Sequence, residues 1–68
     1  MILTINGRRR EVPAAAAENV AQLLEHLELE PEKVVVERNR EILTAEQFAV
    51  TALEENDVLE LIQFVGGG

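Results

Sequence analysis

The stretch Val58-Leu59-Glu60-Leu61-Ile62-Gln63-Phe64-Val65, followed directly by Gly66-Gly67-Gly68, decides how this chain reads. Successive side chains of a strand point to opposite faces. Leu59 and Leu61 therefore go inward, and Val58, Glu60, Ile62 and Phe64 go outward. Ile62 and Phe64 are then large apolar groups on a solvent face, adjacent to the glycines, which suggests a contact surface. Glycine lacks a Cβ, so the three glycines gain nothing from packing and are expected to be mobile. Such a segment can thread its backbone into a narrow cleft on another protein. With Gly68 expected to present a free carboxylate, that group is the first candidate for chemistry.

Working outward from this strand, Met1-Ile2-Leu3-Thr4-Ile5 is β-rich and runs into Asn6-Gly7, a strong hairpin signal. Arg8 to Val12 is the returning strand, and Pro13 with Ala14 to Ala17 leads the chain away. Asn19 is a helix N-cap, with Gln22 completing a capping-box-like pair. Val20, Leu23, Leu24 and Leu27 follow at helical spacing as one apolar stripe, and Pro31 ends the helix at or before Glu30. Lys33 to Arg38 reads as a third strand and Asn39-Arg40 as a turn. Glu41-Ile42-Leu43 starts a fourth strand. Thr44 to Gln47 forms a capped helical turn that tucks Phe48 inward. Glu54-Glu55-Asn56-Asp57 is a polar turn into the last strand. The expected fold is α+β: a mixed sheet of four to five strands wrapped around one helix. Residues 1–65 form the domain and 66–68 a flexible tail. The expected core is Leu3, Ile5, Val20, Leu23, Leu24, Leu27, Val34, Val36, Leu59 and Leu61.

Sixty-eight residues make one small domain, and 47% hydrophobic content is ample for its core. Thirteen acidic residues against six basic give a net charge of −7, which argues against nucleic acid as a partner. Arg8-Arg9-Arg10 is a local exception, read as a solvated edge strand that blocks aggregation. With no cysteine, there is no disulfide framework, thiolate nucleophile or cysteine-ligated metal site. No apolar run approaches membrane-spanning length and no signal-peptide layout opens the chain, so a soluble cytoplasmic protein without membrane association is expected.

Enzyme chemistry finds little to work with. His26, the single histidine, lies on the polar side of the helix, and serine is absent. Gly7 sits alone in a hairpin, so no phosphate-cradling glycine loop exists. The chain is expected to be acted upon and to bind no cofactor of its own.

The opening hairpin Ile2 to Gly7, the helix Val20 to Leu27, "VERNREIL" at 36–43, "ENDVLELI" at 55–62 and "VGGG" at 65–68 together resemble the ThiS family. These are sulfur carriers of thiamine biosynthesis with a ubiquitin-like β-grasp fold. Family members often carry glycine where this chain has Arg40, and a Gly-Asp pair where it has Asn56-Asp57. The resemblance implies that a ThiF-type adenylyltransferase uses ATP to adenylate the Gly68 carboxylate. A sulfur donor, ultimately a cysteine desulfurase or a related protein, then displaces AMP to leave a thiocarboxylate. Thiazole synthase (ThiG) takes that sulfur into the thiazole ring. Gly66 and Gly67 are the tail residues an activating enzyme would enclose. Ile62, Phe64, Val35 and Glu60 are the expected partner-binding surface, Val35 if its strand neighbours the last one.

Three other readings share these residues. One is the small subunit of molybdopterin synthase, which is usually longer. Another is a ubiquitin-like modifier joined to lysines through Gly68. The third is an interaction module with an idle tail.

Overall fold

The computed structural model describes residues 1–65. β1 (Ile2–Ile5) turns at Asn6-Gly7 into β2 (Arg8–Glu11), with Ile5 opposite Arg8 and Leu3 opposite Arg10. Asn6 and Gly7 have φ of 51° and 81°, the paired left-handed conformations that a two-residue hairpin requires. A 3-10 turn at Ala14–Ala16 leads to α1 (Val20–His26), and a second at Pro31–Lys33 leads to β3 (Val34–Arg38). β4 (Glu41–Leu43), the single-turn α2 (Ala45–Phe48) and β5 (Val58–Gln63) follow.

The sheet order is β2-β1-β5-β3-β4. β5 runs parallel to β1 and antiparallel to β3, so the last strand in sequence is the middle one in space. Parallel neighbours cannot be joined by a tight turn. Everything between β1 and β5, the helix included, is their crossover. This is the β-grasp arrangement, with five strands.

Asn19 caps α1 as expected, its side chain accepting the Gln22 N–H at 2.8 Å. The reciprocal bond differs from a capping box. The Gln22 side chain accepts from Glu18 N–H at 3.0 Å, one residue before the cap. The cap residues are committed elsewhere: Val20 N–H donates to the Thr51 carbonyl and Leu53 N–H to the Glu18 carbonyl. The helix entrance is thereby stitched to the loop before β5.

At its other end α1 stops at His26, before any influence of Pro31. Glu28 adopts a left-handed φ of 60°, while Leu29 N–H donates to the Leu24 carbonyl and Glu28 N–H to that of Glu25. This is the Schellman closure, with glutamate where glycine is usual. Leu27, expected in the core, is instead half-buried, because it caps the helix and packs only against the core's edge.

The other nine expected core residues are buried, and Phe48 does tuck inward. Val12, Ala17 and Leu53 join them. Val12 lies just past β2, but its N–H still donates to the Met1 carbonyl. That keeps it in the alternation and turns it toward the helix. Arg8 and Arg10 share its face yet stay exposed at the sheet edge, as a solvated edge should.

Candidate functional site

β5 is anchored from both flanks by asparagines in hairpin turns. Asn6 accepts from Leu61 N–H at 2.8 Å and donates through Nδ2 to the Leu61 carbonyl at 3.2 Å, so its side chain extends the ladder as a backbone unit would. On the other flank Asn39 accepts from Val58 N–H at 2.9 Å, while its own N–H donates to the Val58 carbonyl at 2.8 Å. Asn39 and Arg40 both have positive φ, 48° and 73°, forming the β3–β4 hairpin turn. β5 is thus gripped near both its start and its end.

The start of β5 is also tied by charge. Asp57 is buried and accepts from Arg38 Nε at 2.8 Å, Asn39 Nδ2 at 3.0 Å and Glu54 N–H at 2.9 Å. Burial alone would raise its pKa. The hydrogen bonds from Asn39, the Glu54 N–H and Arg38, together with the Arg38 charge, outweigh that and hold the carboxyl below its ordinary value. Arg38 also reaches Glu54 at 3.4 Å. Beside this hub, Asn56 takes a φ of 70° and its N–H donates to the Ile2 carbonyl, while the Glu55 carboxylate accepts from Ile2 N–H.

The outward face of β5 matches the alternation. Ile62 is 61% exposed, Phe64 45% and Val35 38%, and the register sets Val35 directly opposite Ile62. The condition attached to Val35 is therefore met. Ile42, 69% exposed, pairs with Glu37 on the next strand outward and widens the apolar area. Phe64 N–H donates to the Lys33 carbonyl, which carries the pairing one residue past β5. Glu60 is exposed, as expected, and stands opposite Glu37. Gly66, Gly67 and Gly68, with the expected tail mobility, lie outside the described residues.

Among the described residues no group of acids or histidines could hold a metal ion, and no helix is long and apolar enough to cross a membrane. His26 is exposed, in an open groove of about 400 Å³ shared with Arg10 and Gln63. Among the described residues that line this groove there is no serine, threonine or cysteine. The features that hold β5 were missed by sequence reasoning. Asn6 and Asn39 read simply as turn residues, and Asp57 as part of a polar turn. A usable signal existed, because asparagine tolerates positive φ and can bond the neighbouring backbone.

What this arrangement offers is a rigid central strand, an apolar outer face and a glycine run that follows it. Comparison with known proteins identifies the family and the fold. Residues 3–68 match the ThiS family. The sulfur carrier protein ThiS of Bacillus subtilis is 43% identical over 49 residues, covering 72% of this chain and 74% of that protein. A thiazole synthase of Paramagnetospirillum magneticum is 41% identical over all 68 residues, and this chain spans only 20% of its length. The crystal structure of a thiamine biosynthesis protein (ThiS) from Geobacter metallireducens superposes with a TM-score of 0.83 at 40% identity, covering both chains fully. With the family match running over residues 3–68 and the fold shared with a ThiS structure over the full length of both chains, this chain belongs to the ThiS family.

Proposed function

We propose that this chain carries sulfur for thiamine biosynthesis on the carboxylate of Gly68, as a substrate of other enzymes. A carboxylate is a poor electrophile. In adenylation by a ThiF-type enzyme the carboxylate oxygen attacks the α-phosphorus of ATP and pyrophosphate leaves, which makes that oxygen part of an AMP leaving group. A sulfur nucleophile supplied by a cysteine desulfurase or related donor then displaces AMP, and where that nucleophile is a persulfide a thiol reductant cleaves the acyl disulfide to free the thiocarboxylate. The resulting thiocarboxylate would pass its sulfur to a thiazole synthase of the ThiG type. The observation that carries this reading is the family match running through residue 68, on a fold whose central strand leads straight into the glycines. That thiazole synthases elsewhere contain a segment similar to the whole of this chain supports such a synthase as the acceptor.

Each part of the structure has a task in that chemistry. Gly67 and Gly68 put no side chain near the reacting carbon, so an enzyme can enclose it closely. Association itself costs entropy, which burial of Ile62, Phe64 and Val35 would offset.

Incubation with a ThiF-type enzyme, ATP and a sulfur donor should produce the mass change of one sulfur-for-oxygen exchange, located on Gly68 by fragmentation. Adding one residue after Gly68 displaces the carbon by about 3.5 Å and should abolish the product, since misplacement by about 1 Å already costs about 100-fold. Lysine-linked conjugates in place of thiocarboxylate would indicate a modifier instead. Normal thiocarboxylate formation on the extended chain would remove Gly68 as the sulfur-bearing residue.

A further inference from the structure

One lysine occurs in the 68 residues, Lys33; the other basic side chains are Arg8, Arg9, Arg10, Arg38 and Arg40. A lysine amine that sheds its proton is a nucleophile, whereas a guanidinium keeps its charge and does not attack. Lys33 stands where β5 leaves the sheet. Its carbonyl accepts the Phe64 N–H at 2.9 Å, and it lines an open groove of about 460 Å³ with Glu30, Gln63, Phe64 and Val65. The ammonium pairs with Glu30 at 3.1 Å, but the two side chains are 48% and 60% exposed, so solvent screens the pair and opens it readily.

Lys33 is therefore the amine within reach of Gly68. Antiparallel residues paired by a backbone bond have Cα atoms about 5.5 Å apart. The four residues after Phe64 span up to about 14 Å, and glycine takes φ of either sign. The segment can thus reverse and bring its terminal carbon to Lys33 Nζ. The other amine of the chain is out of range. Thr4 lies level with Val58, so Met1 sits beyond the start of β5, more than about 20 Å along the strand from Val65. Its ammonium already donates to the Val12 carbonyl.

We propose that Lys33 is an internal acyl acceptor: when no sulfur nucleophile arrives, the activated Gly68 carbonyl transfers to Lys33 Nζ and closes an isopeptide bond within the chain. Nζ, having lost one proton to solvent, attacks the acyl-adenylate carbon. The C–N bond forms, the C–O bond to AMP breaks, AMP leaves with the electron pair, and the nitrogen sheds a second proton to solvent. The activated state rests on the sulfur-carrier reading above, and the choice of acceptor on the structure alone. Tethering supplies the rate. A short flexible link holds the amine at an effective concentration on the order of 1 mM, so its attack competes with hydrolysis of the adenylate. The product has no terminal carboxylate, which withdraws the chain from sulfur transfer.

Incubation of the full chain with a ThiF-type enzyme and ATP, without a sulfur donor, should give a product lighter by one water, with fragmentation joining Gly68 to Lys33. Lys33→Arg keeps the charge beside Glu30 but cannot attack. It should return to the unmodified acid, while still forming thiocarboxylate once the donor is added. Dilution of the carrier from about 50 to about 5 µM should leave the yield unchanged, because the amine of the same chain exceeds those of other copies at least about 20-fold. A Gly68 thioester of the same chain, prepared without the enzyme, should close the same bond.

Hydrolysis of the adenylated wild type at the rate seen for Lys33→Arg overturns the proposal. So does a link through Met1, or a yield that falls on dilution, which marks transfer between copies. A wild type that the enzyme fails to adenylate, with a thioester that still closes onto Lys33, removes the carrier reading and keeps the acceptor. A wild type that forms thiocarboxylate normally, with no closure from adenylate or thioester, removes the acceptor and keeps the carrier.

Discussion

Replacing Asp57 by asparagine should destabilise the fold strongly at neutral pH and very little in acid. Asp57 is 6% exposed, and the Arg38 side chain that bonds it is 22% exposed, so solvent screens the pair weakly. The carboxylate satisfies three donors, from Arg38, Asn39 and the Glu54 backbone. Asparagine of the same shape keeps one acceptor and brings an NH2 group toward donors, leaving Arg38 only the exposed Glu54 carboxylate at 3.4 Å as counter-charge. Breaking a buried pair in this way costs about 3–5 kcal/mol, and the residual acceptor and the edge exposure of Arg38 bring the expected loss to about 2–3 kcal/mol. A domain of this length has only about 3–10 kcal/mol in total. The sign of the pH effect follows from the depressed pKa. The Asp57 contribution is fully present above the unfolded carboxyl value near 3.9 and is lost as pH falls through the lower folded value. Urea unfolding of both proteins from pH 7 down to pH 2 should show the difference between them shrinking below about pH 4. A loss under about 1 kcal/mol at pH 7, or a difference that stays constant into acid, would refute the account of this hub.

Two further perturbations address the helix end and the open face. Glu28 holds a left-handed φ of 60° at the Schellman closure, so Glu28→Gly should raise stability by about 0.5–1 kcal/mol in denaturant unfolding, with no change in the sheet. Ile62→Asp and Phe64→Asp should each weaken binding to the ThiF-type enzyme about 10-fold or more by calorimetric titration while Tm stays within a few degrees, since both side chains already meet solvent. A folded Ile62→Asp protein with unaltered affinity would take this face out of the interface.

Much of this fold is written locally. Alternation in residues 58–65 assigns both faces of β5 correctly, and Asn6-Gly7, Asn19 and Thr44 mark a hairpin and two helix starts that the chain adopts. What stayed hidden depends on partners far away in sequence. Asp57 reads as a surface turn residue until Arg38, 19 positions earlier, arrives over it. Leu53 sits between α2 and β5 in a segment with no period, and its burial accompanies a backbone bond to Glu18, 35 positions earlier, that no local pattern announces. Leu27 fits the helical stripe, yet the left-handed turn at Glu28 ends the helix one residue before it. The opposition of Glu37 to Glu60 needs the register between strands, which neither strand's own pattern specifies.

The middle position of β5 links these details to the proposed chemistry. A strand bonded on both sides, and gripped at Val58 and Leu61 by asparagine side chains, fixes where the chain leaves the sheet at Val65. From there three residues reach at most about 10 Å, whatever path they take. The reacting carbon therefore lies within that reach of Val65, and an enzyme that adenylates it must place its catalytic groups within about 20 Å of the recess receiving Ile62 and nearer still to that of Phe64. Surface contact and reaction centre are consequently one geometric problem. A change on the open face that rotates the docked body by a few degrees shifts the carboxylate as surely as a change in the glycines. Substitutions on β5 should then lower the rate of adenylation even at saturating enzyme, which simple loss of affinity would not do.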